Sequence, residues 1–370
     1  MLRLTQSSDR SWNHTSPSTR ITHNTGWLGA IATAPDLKSA DCAALVSFDG
    51  GQTWKRHDLG LRQCYDPWVG VLPDGSGLLT VIGNESADLL IYRSNDGGRT
   101  WHKPVTLGSL HDGETFVIGE NGSKYPDNLF VASNQATKEK ASGKMRDSVF
   151  VARSVDAGRT FQEPIRVFPS NLYINALNPA LLSDGTLLVP YSDYARNGIN
   201  GRGTIWLDRE RDWLLRSHDG GRTFLVPALM SESCSKTHPM LAVDASSSPF
   251  RDRVYWLCND GLHENIYLHY SPDGGEHWSS PIRVNRDSGT VPDVRTAVMA
   301  VSGNGTLGIA WHDARADKRM NWEFLRCQEL YFTASLWRNL STRDQGRSQV
   351  LPADSEERRG RNPLGCRRGL

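Results

Sequence analysis

A guanidinium, a carboxylate, an imidazole and an indole ring lie within five residues in the last quarter of the chain. The segment Trp311-His312-Asp313-Ala314-Arg315 ends an apolar run. Arginine can grip a carboxylate in two places, and a carboxyl group can transfer protons during hydrolysis. Because a solvated surface strand rarely needs all four groups, this segment is a candidate site for binding or catalysis.

Similar polar residues stand where other apolar runs begin or end. Asp66, Glu114 and Arg295 precede such runs, and Tyr191-Ser192-Asp193-Tyr194 follows one. Each has a structural interpretation as well, because an aspartate before a strand often caps a turn and an exposed arginine often pairs with a neighbouring carboxylate. Their combination, however, favours a pocket for an anionic or polyhydroxylated sugar.

Roles within this pocket follow from residue type. We expect Asp66, Glu114 or Asp313 to transfer protons, and Tyr191 or Tyr194 to lie near the anomeric carbon. We expect Arg295 and Arg315 to bind a sugar carboxylate. Asp193 and His312 are expected to make further contacts with the substrate.

A short repeat predicts the elements that must position these residues. The pattern Ser-x-Asp-x-Gly-x-Thr-Trp/Phe, or a close variant, occurs five times, at residues 47–54, 94–101, 154–161, 217–224 and 271–278. Aspartate can accept hydrogen bonds from backbone N–H groups two residues on, and glycine takes the left-handed conformation that a tight turn needs. Each copy is therefore predicted to be a hairpin, in which Asp49, Asp96, Asp156, Asp219 and Asp273 are structural.

The spacing of these hairpins predicts the fold. Successive turn aspartates are 47, 60, 63 and 54 residues apart, which is room for four strands. A sixth apolar repeat begins at Asp293 and reaches Leu336. We therefore expect an all-β chain, a six-bladed β-propeller with four-stranded antiparallel blades. Propellers bind ligands at one end, where the inner strands begin, so the candidate residues would share that end.

The predicted domain covers residues 20–336, after an N-terminal extension of residues 1–19. Residues 337–370 hold eight arginines without an alternating apolar pattern. We expect this C-terminal tail to be disordered. A reading-frame disruption near Leu336 is one explanation for it, because a shifted frame can encode a sixth hairpin sequence.

The five hairpin sequences resemble the Asp-box, or BNR, repeats of the sialidase superfamily. The resemblance implies a six-bladed propeller that removes terminal sialic acid or a related acidic sugar with retention. It also implies three arginines on the sugar carboxylate, a tyrosine nucleophile activated by a glutamate, and an aspartate as acid/base. Arg20, in Thr19-Arg20-Ile21-Thr22, is the candidate for the first arginine, and Asp36 or Asp41 for the acid/base. The alternative is a non-catalytic Asp-box propeller that binds a glycan or a protein partner.

Composition excludes several other classes. The chain has 42 basic and 41 acidic residues, so no overall charge attracts nucleic acid. No apolar run approaches the length of a transmembrane segment. The six cysteines contain no CxxC pair, and neither a metal site nor a cofactor is expected. We expect a monomer that acts on a glycan or glycoconjugate. Relatives of this type are mostly exported, so a secreted, periplasmic or cell-surface location is expected, although no signal peptide is visible.

Overall fold

The computed structural model describes residues 20–21, 27–33, 41–61, 63–120, 122–139, 143–170, 172–199, 205–231, 240–259, 265–285, 294–313, 329–336 and 358–359. Over these residues every helix or strand is a β-strand, and the strands form six antiparallel sheets. This confirms the predicted all-β propeller fold with four-stranded blades. The chain divides into two compact units, the first comprising Met1–Trp206 and Leu215–Pro227 and the second Leu207–Leu214 and Ala228–Leu370.

Three sheets lie entirely in the first unit, and each runs in chain order from its first strand to its last. The first contains β1 (Arg20–Ile21), β2 (Trp27–Thr33), β3 (Asp41–Ser47) and β4 (Lys55–Asp58). The second contains β5 (Cys64–Val71), β6 (Gly77–Gly83), β7 (Asp88–Ser94) and β8 (Val105–Thr106). The third contains β9 (His111–Ile118), β10 (Leu129–Lys138), β11 (Met145–Ser154) and β12 (Ile165–Ser170).

The fourth sheet has five strands because its inner strand is interrupted. It contains β13 (Tyr173–Ala176), β14 (Ala180–Leu181), β15 (Leu187–Ile199), β16 (Ile205–Ser217) and β17 (Ala228–Ser231). Both β13 and β14 pair with β15. The division between the two units passes through β16.

Two sheets lie in the second unit. The fifth contains β18 (Met240–Val243), β19 (Val254–Asn259), β20 (Ile266–Ser271) and β21 (Ile282–Arg283). The sixth contains β22 (Val294–Val301), β23 (Thr306–Asp313), β24 (Glu329–Leu336) and β25 (Arg358–Arg359). Strand β25 belongs to the predicted C-terminal tail and pairs with β24. The rest of that tail and residues 1–19 lie outside the described residues, so the predicted domain boundaries stay predictions.

The core consists of apolar layers between neighbouring sheets. All seven residues of β6 are buried, as expected for a strand covered on both faces. In the first unit one layer includes Leu28, Val46, Val69 and Leu79, and the next includes Leu78, Ile91, Phe116 and Phe150. In the second unit Tyr255, Leu268, Ile309 and Trp311 pack together. Trp311 is therefore a core residue, whereas the sequence analysis grouped it with the candidate site.

The Asp-box segments form the predicted turns, but serine and aspartate divide the hydrogen bonds between them. In the second box the buried Ser94 Oγ accepts a bond from the Gly98 N–H at 2.7 Å and donates to Asp96. Asp96 in turn accepts bonds from the backbone N–H and the hydroxyl of Thr100, four residues on. Partial burial alone would raise the pKa of Asp96, but these hydrogen bonds hold it at about 2. The sequence predicts that Asp96 accepts a hydrogen bond from the N–H two residues on, that of Gly98. Ser94 accepts this bond instead.

Candidate functional site

The inner strands of the second and third sheets each carry a β-bulge near their first residues. In β5, Tyr65 pairs with Ile82 and Trp68 with Thr80, so Asp66 and Pro67 together oppose a single residue of β6. In β9, Asp112 pairs with Asn134 and Thr115 with Ala132, so Gly113 and Glu114 oppose Ser133. A bulge bends the strand and redirects the side chains next to it. It therefore explains why polar residues occur at the start of apolar strands.

The two bulges share one backbone conformation. Asp66 and Gly113 occupy the same position and have φ angles of 50° and 60°. Three residues earlier, Gln63 and Leu110 also have positive φ, at 57° and 63°. Glycine takes this left-handed conformation freely, whereas other L-residues pay about 1–2 kcal/mol for it. Asp66 therefore carries backbone strain, as do eight other non-glycine residues of the described chain.

Glu114 is a buried carboxylic acid. It is 1% exposed, and among the described residues no side chain hydrogen-bonds to Oε1 or Oε2, although the backbone N–H groups of Glu114 and Ile82 lie near enough to lower its pKa. Burial raises the pKa of Glu114 well above its usual value, and the negative charges of Asp66 and Asp112 raise it further. Asp66 itself is partly exposed. The charge of Asp66 therefore acts on Glu114, and burial favours the protonated form of Glu114.

Asparagine and tyrosine side chains from neighbouring strands complete the described surroundings of the β9 bulge. The Tyr173 hydroxyl donates to Asp112 Oδ2 at 3.2 Å. A Cβ atom placed on Gly113 would lie 2.8 Å from Asn175 Oδ1 and 3.4 Å from Asn134 Oδ1. A side chain here would require the Asn175 amide to move and would touch that of Asn134. Sequence reasoning missed Asn134 and Asn175, although Ser-Asn-Gln inside the apolar strand β10 was a signal.

Tyr191 and Asp193 lie on β15, which pairs with β13. Asn175 pairs with Ser192, whereas Ala176 and Ile174 pair with Tyr191 and Asp193. Directly paired residues share a face of a sheet, and successive residues alternate between faces. Because Asn175 faces Gly113, Tyr191 and Asp193 occupy the opposite face of the fourth sheet. The structure buries both residues but does not bring them onto the side of Glu114.

The remaining predicted residues are described through their strands or lie outside the described part. Arg20 pairs with Leu28 at the start of the first sheet, and Arg295 pairs with His312 in the sixth. A further bulge follows Arg295 in β22. Side chains are outside the described part for Arg20, Tyr194, Arg295, His312 and Asp313, and all of Arg315 and Asp36 lies outside it. Asp41 is exposed at the start of β3.

A chain of hydrogen bonds fixes the protonation of His111, the first residue of β9. Arg166 donates through Nε to Gln135 Oε1, so the amide nitrogen of Gln135 faces the histidine and lies 3.0 Å from Nε2. Since that nitrogen is a donor, Nε2 must accept, and Nδ1–H donates to Ser133 Oγ at 2.8 Å. Burial lowers the pKa of His111 to about 4. The imidazole is therefore neutral and serves to anchor the start of β9.

A disulfide joins the first sheet to the second beside the β5 bulge. Cys42 of β3 is bonded to Cys64, the first residue of β5, and both are buried. Cys258 is also disulfide-bonded. The spacing of the cysteines in the sequence does not indicate this pair. Over the described ranges, no group of three or more His, Cys, Asp or Glu side chains is placed to hold a metal ion. The same part of the chain holds no helix with the length and hydrophobicity of a membrane span.

Comparison with known families identifies the repeats. The BNR repeat-like domain matches residues 128–320, which is more than half of the chain, and the BNR/Asp-box repeat matches residues 45–56 and 92–103. No curated protein sequence is significantly similar to the chain.

Solved structures share the fold at low sequence identity. A protein of unknown function from Dyadobacter fermentans is 15% identical with a TM-score of 0.54, and the match covers 88% of this chain and 94% of that one. A Hadza microbial sialidase is 16% identical with a TM-score of 0.53, over 80% of this chain and 62% of the sialidase. An α-L-arabinanase from Penicillium chrysogenum, complexed with arabinobiose, is 15% identical with a TM-score of 0.53, over 82% and 88% of the two chains.

Proposed function

The chain belongs to the BNR repeat-like domain family, and from this premise we propose that it is a glycoside hydrolase that removes a terminal sugar. The observation that carries the proposal is the carboxyl pair of Asp66 and Glu114. Two neighbouring carboxyl groups in different environments are a common acid/base arrangement, and glycoside hydrolases generally depend on paired carboxyl groups. The propeller fold shared with a sialidase and an arabinanase supports the same reaction class.

Each member of the pair has a distinct role in this proposal. Asp66 is partly exposed and is the group that meets the substrate, whereas Glu114 is covered and holds the proton. In this proposal Asp66 takes its proton from solvent and protonates the leaving oxygen, while Glu114, held neutral by burial, adds no second negative charge beside it. The left-handed backbone of Asp66 holds its carboxylate beside Glu114 at the bulge.

The finer proposal concerns the sugar. Following the sequence, we propose terminal sialic acid or a related acidic sugar, cleaved with retention. Arg20 would bind its carboxylate, and Tyr194, which pairs with Tyr173, would lie near the anomeric carbon. Tyrosine suits this role because, being neutral, it does not repel an anionic sugar. The roles that the sequence predicts for Arg295, Arg315, His312 and Asp313 stay predictions.

The burial of Glu114 favours a second candidate function, a non-catalytic propeller that binds a glycan or a protein partner. Both carboxyl oxygens of Glu114 are covered in this structure, so they cannot touch a ligand in this conformation. In that case Asp66 and Asp112 would bind sugar hydroxyl groups without any proton transfer.

Hydrolysis of fluorogenic glycosides distinguishes the two candidates. Wild type would be assayed on an α-sialoside and an α-L-arabinofuranoside, beside Asp66→Asn, Glu114→Gln and the control Asp58→Asn, which changes an exposed carboxylate of β4. We expect kcat to fall about 100-fold or more in the two site variants and to be unchanged in the control. Equal activity in all four proteins would exclude the carboxyl pair.

The same panel also separates the sugars and the second candidate. Turnover of the arabinofuranoside alone would reject the sialic acid form of the proposal. Glycan binding that depends on Asp66, without turnover of either glycoside by folded wild type, would support the binding protein. The anomer released, followed by NMR, tests retention.

We further propose that the protein is exported to an oxidising compartment and is secreted, periplasmic or on the cell surface. Support comes from the Cys42–Cys64 disulfide, because disulfides persist in such compartments and are rare in reducing ones.

A further inference from the structure

We propose that the Cys42–Cys64 disulfide is a positioning element that holds Asp66 in its left-handed conformation beside Glu114. The inference deepens the proposed function and rests on it where it concerns catalysis. Its structural part, the coupling of the disulfide to the bulge, can be tested without any activity. Three observations support it: the position of Cys64, the strain around it, and the internal comparison between β5 and β9.

Cys64 lies between two strained residues. Gln63 precedes it with φ of 57°, and Asp66 follows two residues later with φ of 50°. Both conformations are unfavourable for residues with a side chain, and such strain persists only where the surroundings leave no alternative. The Gln63 carbonyl accepts one backbone hydrogen bond from Asn84, and the Tyr65–Ile82 pair precedes the break in register. Cys64 supplies a covalent bond at the centre of this segment.

The disulfide ties the segment to a part of the fold that cannot easily move. Cys42 is the second residue of β3, and the two residues that follow it, Ala43 and Ala44, are fully buried. The Cα atoms of Cys42 and Cys64 are 5.9 Å apart. Both sulfur-bearing residues belong to the apolar layer between the first two sheets. A shift of the bulge would therefore have to disturb this packed layer.

Strand β9 repeats the same backbone without a disulfide. Cys64 pairs with Gly83, two residues before Asp66, and His111 pairs with Gln135, two residues before Gly113. His111 therefore occupies in β9 the position that Cys64 has in β5. At the bulge itself β9 has Gly113, which needs no restraint to adopt positive φ. At the bulge residue itself the aspartate thus occurs in the strand with the covalent bond and the glycine in the strand held by hydrogen bonds, whereas three residues earlier both segments carry a side chain at positive φ, Gln63 and Leu110.

The test measures the coupling between Asp66 and Glu114 with and without the disulfide. The pKa of Glu114 would be followed by carbon-13 NMR of glutamate-labelled protein, with Glu114→Gln assigning the signal. In the disulfide-bonded protein, Asp66→Asn should lower the pKa of Glu114, because a nearby negative charge is removed. In the double variant Cys42→Ala/Cys64→Ala, the same substitution should change it much less. An equal change in both backgrounds would overturn the proposal.

A cysteine variant that does not fold also gives a result. Asp66→Gly would then be added to it, because glycine adopts the required φ without strain, as Gly113 does. Recovery of the fold is expected. Failure to recover would mean that the disulfide serves the packing of the two sheets rather than the bulge, which contradicts the proposal.

Enzyme kinetics separate this inference from the proposed function. The cysteine variant should lose kcat with little change in KM, compared with Leu268→Ala, a buried substitution in the second unit that lowers stability without touching the bulge. An inactive wild type with intact coupling in the NMR test would reject the hydrolase and keep the positioning role. An active protein whose kcat is the same in both variants would reject the role in catalysis.

Discussion

Two titratable side chains of β9, His111 and Glu114, are buried with pKa values displaced in opposite directions. Burial penalises the charged form in both cases, so it lowers the pKa of the histidine and raises that of the glutamate. Both groups are therefore held neutral within four residues of one strand. The histidine has side-chain hydrogen-bond partners for this state, whereas the glutamate has only the backbone N–H groups of Glu114 and Ile82 nearby. The burial of Glu114 is therefore less fully compensated than that of His111.

Wild type should lose stability at higher pH as Glu114 ionises, and Glu114→Gln should prevent this loss. The folded pKa of Glu114 lies above its unfolded value of 4.5. Its contribution is fully present below that pH and is lost as pH rises through the folded pKa. Glutamine keeps the shape and does not ionise. The Tm difference between the variant and wild type should therefore grow in favour of the variant as the pH rises from 4.5 through the folded pKa. Parallel melting curves across this range would contradict the assigned burial.

His111→Asn should reduce the loss of stability that wild type shows as the pH falls. The folded pKa of His111 is about 4, against 6.5 in the unfolded chain. Wild type should keep this contribution above pH 6.5 and lose up to ~3 kcal/mol as pH falls through 4. Asparagine can still donate to Ser133 but does not titrate. Thermal unfolding of His102→Asn, an exposed substitution, is the control and should keep the wild-type profile.

At the scale of the element, the Asp-box turn depends on contacts within a few residues of the chain, whereas the bulge depends on pairing with another strand. The serine, aspartate and threonine of each box bond to one another and to backbone atoms within a few residues, with nearly the same distances in the first four boxes. This is why the turns could be predicted from residue types. The bulges of β5 and β9 depend on pairing with β6 and β10, and no residue pattern indicated them. The fifth box replaces threonine by His277, whose Nδ1 lies 2.7 Å from Asp273.

Ser94→Ala should destabilise the second Asp-box turn. Ser94 is fully buried, and its loss leaves the Gly98 N–H without an acceptor. An unsatisfied buried donor costs about 1–3 kcal/mol. Chemical denaturation should detect this loss, while Ser86→Ala, an exposed serine in the preceding turn, should change stability by less than about 0.5 kcal/mol. Equal effects of the two substitutions would argue against the role assigned to the box serine.

At the scale of the whole molecule, the near-neutral net charge bears on how an acidic ligand could be bound. With a net charge of +1, the chain has no overall field to attract an acidic sugar, so any such binding depends on a few local arginines. The predicted propeller fold is confirmed, and the family is that of BNR repeat-like proteins. Monomeric state, glycan partner and exported location remain predictions from sequence and family.

Production in a reducing compartment should lower the stability of the whole protein. The Cys42–Cys64 bond spans 22 residues, and closing a loop of that size stabilises by about 3 kcal/mol. Protein from an oxidising compartment should therefore unfold at higher temperature than protein from a reducing one, with thiol labelling of Cys42 and Cys64 only in the latter. The variant Cys42→Ala/Cys64→Ala should show a smaller difference. Identical Tm values for protein with and without the bond would refute this expectation.

The sequence by itself determined the turns, the number of sheets and hence the fold, because Ser, Asp, Gly and Thr act over a few residues and recur at regular spacing. It also selected Asp66 and Glu114 as polar residues at strand starts. Only the tertiary structure decided that Glu114 is buried, that Asp66 is strained, that both lie together, and that Tyr191 and Asp193 face away from them. Burial, strain and proximity between separate strands arise when sheets pack, and residue types in one segment cannot specify which distant segment will cover them.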